Sequence, residues 1–290
     1  MSVGYVYTHG LQLLGNSNGV TRQANGNFGR DLNLVPPSQQ LAFGGSFTTD
    51  SVTLPNGKTY AVPDFEAIDG FLNPNFGPIN VIDNTGKSIY HGLQVSMQHR
   101  SKQFQSGLAY TFSKTIDQGT GYYNQFDIGS QRGLSLLDQP QRLVLNGAWT
   151  PQWHHAKGFV LSSVATFASG RPYAAVFDTS VLNFSLVPGE GFNSFRGPGT
   201  QNIDLRLSRV FRVKERVDVS FGAEAFDLLN HPNFQSTVDQ VQYTTTQLND
   251  ASGNPTNAWT AAANPHFGAP LAIAPRDGAR ALQFSTRVSF

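Results

Sequence analysis

The last eleven residues, Arg280–Phe290 (RALQFSTRVSF), decide how the rest of the chain reads. Leu282, Phe284, Thr286, Val288 and Phe290 fall on one face of an extended strand, and Ala281, Gln283, Ser285, Arg287 and Ser289 on the other. Strand side chains alternate with period two, so this segment separates an apolar environment from a wet one. It keeps its apolar face up to a terminal aromatic residue, where chain ends are usually polar and frayed. Two settings accommodate such a strand: the edge of a soluble β-sandwich, and the closing strand of an outer-membrane barrel, whose outer face meets lipid.

Composition narrows the choice. Only 13% of the 290 residues are charged and 39% are hydrophobic, against about 25% charged in ordinary soluble domains. There are 22 Phe, 9 Tyr and 3 Trp but 2 Met, with 29 Gly and 16 Pro, which favours strands and turns over helices. The net charge of +1 and the lack of a Lys/Arg cluster argue against a nucleic-acid partner. There is no Cys, hence no disulfide or thiolate metal site. No apolar run reaches the ~18 residues of a transmembrane helix. Nor does Ser2–Thr8 (SVGYVYT) have the basic head and apolar core of a signal peptide, so the chain is expected to be a fragment of an exported protein.

Alternation recurs along the chain. It marks strands at Ser2–Leu14, Ser88–Arg100, Phe104–Lys114, the Leu143/Leu145/Trp149/Trp153 set, Phe159–Phe167, Ile203–Arg212, Val217–Ala225 and Arg280–Phe290. The connections alternate strictly between long and short. The long ones (15–87, 115–140, 169–200, 230–279) are rich in Asn, Gly and Pro, and the first contains one expected hairpin, with Asn56-Gly57 as a type I′ turn. Long loops all on one side and short turns on the other are the habit of outer-membrane barrels. Aromatics assigned outward fall into two belts: Tyr5, Phe104, Trp153, Phe159, Phe211 and Phe290 at the short-turn end, Tyr90, Phe112 and Phe167 at the long-loop end. Phe226 breaks the parity of its strand. The expected fold is all-β: an antiparallel up-and-down meander of eight long strands, a partial outer-membrane barrel in the form of an open curved sheet.

The terminal stretch, Ser88–Arg100 (SIYHGLQVSMQHR), Tyr110–Lys114 (YTFSK), Glu224–His231 (EAFDLLNH) with Asn233-Phe234, and Gly197-Pro-Gly199 ahead of Asn202–Leu205 together resemble the C-terminal barrel of TonB-dependent receptors, closest to the Oar-like group. The resemblance is good over 88–290 and loose before. It implies an outer-membrane, ligand-gated importer whose barrel of about 22 strands surrounds an N-terminal plug. The plug would contact the inner-membrane TonB complex. Residues 1–290 then correspond to the last section of such a barrel, without plug, signal peptide or earlier strands. The implied partners are outer-membrane lipid, the barrel-assembly machinery, TonB through the missing plug, and a large siderophore-, glycan- or peptide-like ligand.

Catalytic and cofactor signatures are lacking: no P-loop, no G-x-S-x-G and no H-E-x-x-H, scattered His, and Asp-rich loops without calcium spacing, so no enzyme, metal or cofactor site is expected. The lumen-facing charges Asp204, Arg206, Arg212, Asp218, Glu224 and Arg287 are expected to pair between neighbouring strands. Candidate ligand contacts are the loop aromatics Tyr122, Tyr123, Phe126 and Trp259, with Tyr173, Phe192 and Phe195 as further members of the same class. An autonomous eight-stranded structural or adhesive barrel is a competing reading, opposed by the small inward residues (Ser96, Ala109, Ser113, Ala148, Ser162, Ser220, Gly222) that would underfill it. A soluble glycan-binding module is the third.

Phe284, Val288 and Phe290 are expected to act as an assembly signal: the resemblance implies insertion by the barrel-assembly machinery of Gram-negative bacteria, which reads a C-terminal strand ending in an aromatic residue. Deleting Phe290 from the full-length parent should lower the quantity of folded barrel in the outer membrane and leave ligand affinity of the assembled fraction unchanged; normal membrane levels with lost binding would overturn the assignment.

Overall fold

The computed structural model describes residues 1–13, 30–33, 35–36, 39, 49–63, 71–77, 79–81, 84–118, 128–153, 155–178, 186–214, 217–234, 238–274 and 279–289. Among the described residues the two larger sheets are built from the two-residue strand Gly133–Leu134 and thirteen others. In chain order they are β1 (Ser2–Leu13), β2 (Thr49–Thr53), β3 (Thr59–Pro63), β4 (Gly86–Arg100), β5 (Phe104–Asp117), β6 (Gln141–Trp149), β7 (Phe159–Ala168), β8 (Val176–Phe177), β9 (Thr200–Lys214), β10 (Val217–Phe226), β11 (Val241–Asn249), β12 (Pro255–Ala263) and β13 (Ala281–Ser289).

The first sheet is the expected meander. Its order is β1-β4-β5-β6-β7-β9-β10-β13, antiparallel throughout, with the two-residue strand Gly133–Leu134 added beside β5. The sheet is open: β1 and β13 lie at opposite ends and are not paired with each other. Side chains obey the alternation. One row runs Gln105, Ala148, Ser162, Arg206, Glu224, Gln283 across six consecutive strands, each residue opposite the next. This polar face curls into a concavity, while Leu207, Phe211, Phe221, Leu282, Phe284 and Val288 stand exposed on the convex face. A convex apolar face and a concave polar one suit lipid outside and water inside.

Three assignments made from the alternation change. Tyr90 lies on the concave face, folded over Gly92, whose missing side chain leaves room for the ring. It is therefore no member of a lipid-facing belt, as its even parity with Gln94 and Ser96 already implied. Tyr5 stands opposite Leu93, at the middle of β4, rather than near the short turns. There its hydroxyl lies 2.6 Å from His91 Nδ1, on the convex face. Phe226 continues β10 in register opposite Ala281 and lines the concavity, so its parity break is an inward-facing ring and not the end of the strand.

The long connections are more ordered than their composition suggested. Pieces of three of them form a second sheet, β8-β11-β12-β2-β3. The β2–β3 hairpin sits where Asn56-Gly57 placed it, but its turn differs from the type I′ expectation. Gly57 alone has positive φ, at 80°, its N–H donates to Leu54 O, and Asn56 Oδ1 accepts from Lys58 N. That is a three-residue loop with a glycine bulge, the next commonest solution for a hairpin. β2 also pairs in parallel with β12 through Ser51, Val52 and Thr53 opposite Ala258, Trp259 and Thr260. The hydrophobic core lies here: Val52, Leu54, Val62, Ala175, Phe177, Val187 and Trp259 form one buried cluster, with Tyr60, Phe195, Tyr243, Ala261 and Phe267 packed around it. Below it, Tyr173 stacks on Phe195 at 5.8 Å and both meet Phe267 edge-on, at 5.7 and 5.0 Å. Burial raises the Tyr173 phenol above its ordinary value.

An ion pair between a buried carboxylate and an exposed arginine ties these loops to the wall. The Asp138 carboxylate is fully buried; Arg196 Nη2 donates to its Oδ2 at 2.5 Å and Thr115 N to its Oδ1 at 2.6 Å. Arg196 Nη1 also donates to Gly170 O at 3.1 Å. Two long connections and the top of β5 thus converge on one carboxylate.

The face assignment predicts that Leu205→Arg lowers the folded, heat-modifiable fraction of the barrel far more than Arg206→Leu, because a charge on the lipid face at mid-bilayer costs ~2–4 kcal/mol. Equal losses would contradict it. The clamp predicts that Asp138→Ala, which leaves the Thr115 N–H without its acceptor and frees Arg196, destabilises the loop region by about 1–3 kcal/mol. Limited proteolysis should then cut within 128–140 and 186–199 while the wall strands stay intact, and Asp138→Asn should show a weaker form of the same effect.

Candidate functional site

The concave face of the wall is the first part of the site. Its central hollow, of about 390 Å³, is bordered by Gln105, Asn146, Ser162, Arg206, Glu224 and Phe226. Small side chains make it possible. Ala148 and Ser162 occupy the middle of the row, and Asn146 lies over Gly107, where an added Cβ would come within 2.8 Å of its amide. Arg206 Nη1 contacts Glu224 Oε1 at 3.0 Å between adjacent strands, and Arg212 Nε contacts Asp218 Oδ1 at 3.3 Å nearer the short turn. The cross-strand pairing expected of these four residues is therefore present. Both pairs are open to solvent on the arginine side, so each contributes only ~0.2–1 kcal/mol. Their effect is to hold opposite charges together on a hydrated wall that also carries Arg142, Asp204 and Arg287.

Asp204 behaves differently. Its Oδ1 accepts from Asp227 N at 3.0 Å and its Oδ2 from Asn202 Nδ2 at 3.3 Å, so it anchors the start of the last long connection to β9. Asp227 is buried, has a φ of 47°, and accepts from His231 N at 3.2 Å. Asn233 bonds Gln201 in both directions at 2.8 Å, and Asn230 Oδ1 accepts from Arg280 N at 3.0 Å. The residues of the EAFDLLNH…NF stretch thus form a corner between β10, β9 and β13. Their role is architectural.

The loop sheet is the second part. Trp259, expected on an open loop surface, is 8% exposed and belongs to the core of this sheet, with its indole N–H lacking a hydrogen-bond partner among the described residues. Tyr173 and Phe195 likewise pack inward. Tyr122, Tyr123 and Phe126 lie outside the described residues. At the tip of the β11–β12 hairpin, Asp250 accepts from Asn254 N and Ser252 N, each at 2.8 Å. The Asn254 backbone N–H, followed by its side-chain amide, holds this carboxyl below the ordinary aspartate value. Among the described residues no group of three or more His, Asp or Glu gathers in a way that could hold a metal ion.

At the other end of the wall, the assembly-signal candidates Phe284 and Val288 stand on the convex face of β13, 80% and 48% exposed, opposite Ala223 and Val219. Phe290 lies outside the described residues. The belt at the short-turn end comprises Phe104, Trp149 with Trp153 edge-on at 5.3 Å, Phe159, Phe211 and Phe221. Alternation alone could have added Trp149, Phe221 and one further member, Arg209, whose odd number puts it among the outward residues of β9.

A model of the outer membrane beta barrel domain family matches residues 1–187 and 177–265 of the chain. No curated protein matches. Among solved structures, the crystal structure of the outer membrane transporter YddB from Escherichia coli is similar, with 10% sequence identity and a TM-score of 0.45. The alignment covers 99% of this chain and 30% of the transporter, so the chain spans under a third of that protein's length. An antiparallel wall, apolar outside and polar inside, together with a family match over most of its length, places the protein in the outer membrane: the chain belongs to the outer membrane β-barrel domain family.

Proposed function

We propose that this chain is a section of the wall of a TonB-dependent importer of the Oar-like kind, which takes up a large siderophore-, glycan- or peptide-like ligand. The observation that carries the reading is the open sheet: eight strands follow one another in chain order and end on two edges, β1 and β13, that do not pair. An unpaired strand edge in hydrocarbon costs several kcal/mol for each unsatisfied backbone group, so a wall of this kind needs further strands. The small residues of the concave row support the same conclusion, since they suit a wide lumen better than a narrow one. In this reading the missing portion supplies the plug that engages TonB, and the barrel-assembly machinery reads the Phe284/Val288/Phe290 face. Tyr122, Tyr123 and Phe126 are the loop residues assigned to ligand contact, whereas Trp259 acts on a ligand only through the surface it supports. Transport belongs to the complete barrel rather than to these residues alone.

The test combines sequence and geometry. An in-frame plug-and-strand sequence ahead of Met1 is expected, and Gly4→Cys with Ser285→Cys should fail to form a disulfide in outer membranes. Efficient Gly4→Cys/Ser285→Cys cross-linking would instead show that the eight strands close on themselves, which is the autonomous structural or adhesive barrel.

A further inference from the structure

Arg209 on β9 is a cation of the convex face that the wall does not neutralise. Arg209 points outward from β9, opposite Phe159 on β7 and Phe221 on β10. Its guanidinium carbon lies 4.5 Å from the centre of the Phe159 ring and 4.6 Å from that of Phe211. Phe211 in turn meets Phe221 edge-on at 5.9 Å. The rings hold the plane of the guanidinium by cation–π attraction but accept none of its N–H bonds. Among the described residues, no carboxylate and no carbonyl pairs with it.

Depth makes this arrangement informative. Phe159 is the first residue of β7, directly after a short turn, and β9 ends five residues beyond Arg209, at Lys214. Arg209 is therefore level with the periplasmic belt. A charge on the lipid face costs ~2–4 kcal/mol at mid-bilayer but only ~0–1 kcal/mol near the interface, where the phosphates of the inner leaflet lie. Guanidinium presents its donors in a planar fork that matches phosphate oxygens in pairs. Beside it, an apolar groove of about 460 Å³ runs along the convex face between Phe159, Leu207, Phe211, Phe221 and Phe284. A cation with free donors at headgroup depth, next to an apolar trough that faces hydrocarbon, matches an amphiphile with an anionic head.

We infer that Arg209 and the surrounding phenylalanines form a binding site for the phosphate of a glycerophospholipid of the periplasmic leaflet, with an acyl chain lying in the groove. The inference rests on the outer-membrane assignment and not on the import reading. The site would fix the vertical position of β7, β9 and β10 in the bilayer.

The experiment is native mass spectrometry of the outer-membrane barrel extracted in detergent and supplemented with phosphatidylglycerol or, separately, with diacylglycerol; only the heat-modifiable, folded fraction is scored. The wild-type barrel should retain phosphatidylglycerol and not diacylglycerol. Arg209→Leu, a change that suits the lipid face and so permits folding, should reduce retention about tenfold, the scale of one charge-assisted hydrogen-bonded contact. Arg209→Lys should fall between, because it keeps the charge and loses the fork. Equal retention by wild type and Arg209→Leu, equal retention of diacylglycerol, or displacement of the lipid by inorganic phosphate would each overturn the site, the last by reducing it to a simple anion contact.

Discussion

Backbone hydrogen bonding in a medium without water is the constraint on which this structure depends. Inside hydrocarbon a peptide N–H or C=O can find a partner only in another peptide, so a strand survives there only between two neighbours. The six inner strands of the wall satisfy this condition, with register shifts only near Gly10–Leu13 and Arg212–Lys214; the ladder from Ser88–Asp117 to Arg100–Gln105 runs through thirteen consecutive pairs. The side-chain pattern follows from it. Once the ladders set the pleat, one face of every strand is committed to lipid and the other to the lumen, and the polar row from Gln105 to Gln283 is the visible result.

The distribution of apolar packing is the reverse of that in a soluble protein. The membrane wall has no dry interior of its own, because its apolar side is turned outward. The buried cluster around Phe177, Val52 and Trp259 belongs to the connections beyond the wall. Those connections return to water, where burying apolar surface is favourable again. Their attachment to the wall is polar: the Asp138 carboxylate under Arg196, and the paired amide of Asn233 against Gln201. Such bonds suit the boundary, where neither lipid nor a dry core is at hand.

The wall was legible in the sequence because its signal is periodic and repeated. Alternation fixed the facing of strands such as Ile203–Arg212, and the long-short rhythm of connections ordered them into a meander. Strict parity would have placed Tyr90 and Phe226 inward and Arg209 outward, as the structure has them; Tyr90 was assigned outward for its position near a strand end, and Arg209 carried no expectation. The loop sheet was not legible. β11 reads VQYTTTQLN, whose polar threonines and glutamines resemble a solvated loop, and β8 has two residues. The pairing of Ser51 with Ala258 joins segments two hundred residues apart, for which no local pattern exists. Trp259 looked like a surface aromatic for that reason. What buries it comes from elsewhere in the chain.

That loop sheet has a consequence for export. Its strands come from three separate connections, and the core residues Val52, Val187 and Trp259 each lie in a different one. None of the three can bury its apolar side chains alone, and bringing them together carries the entropic cost of closing long loops. Each connection therefore has little reason to fold before its companions arrive. Segments that must be threaded through a membrane are best carried as extended chain, and dividing one core among three of them keeps each in that state until all have crossed.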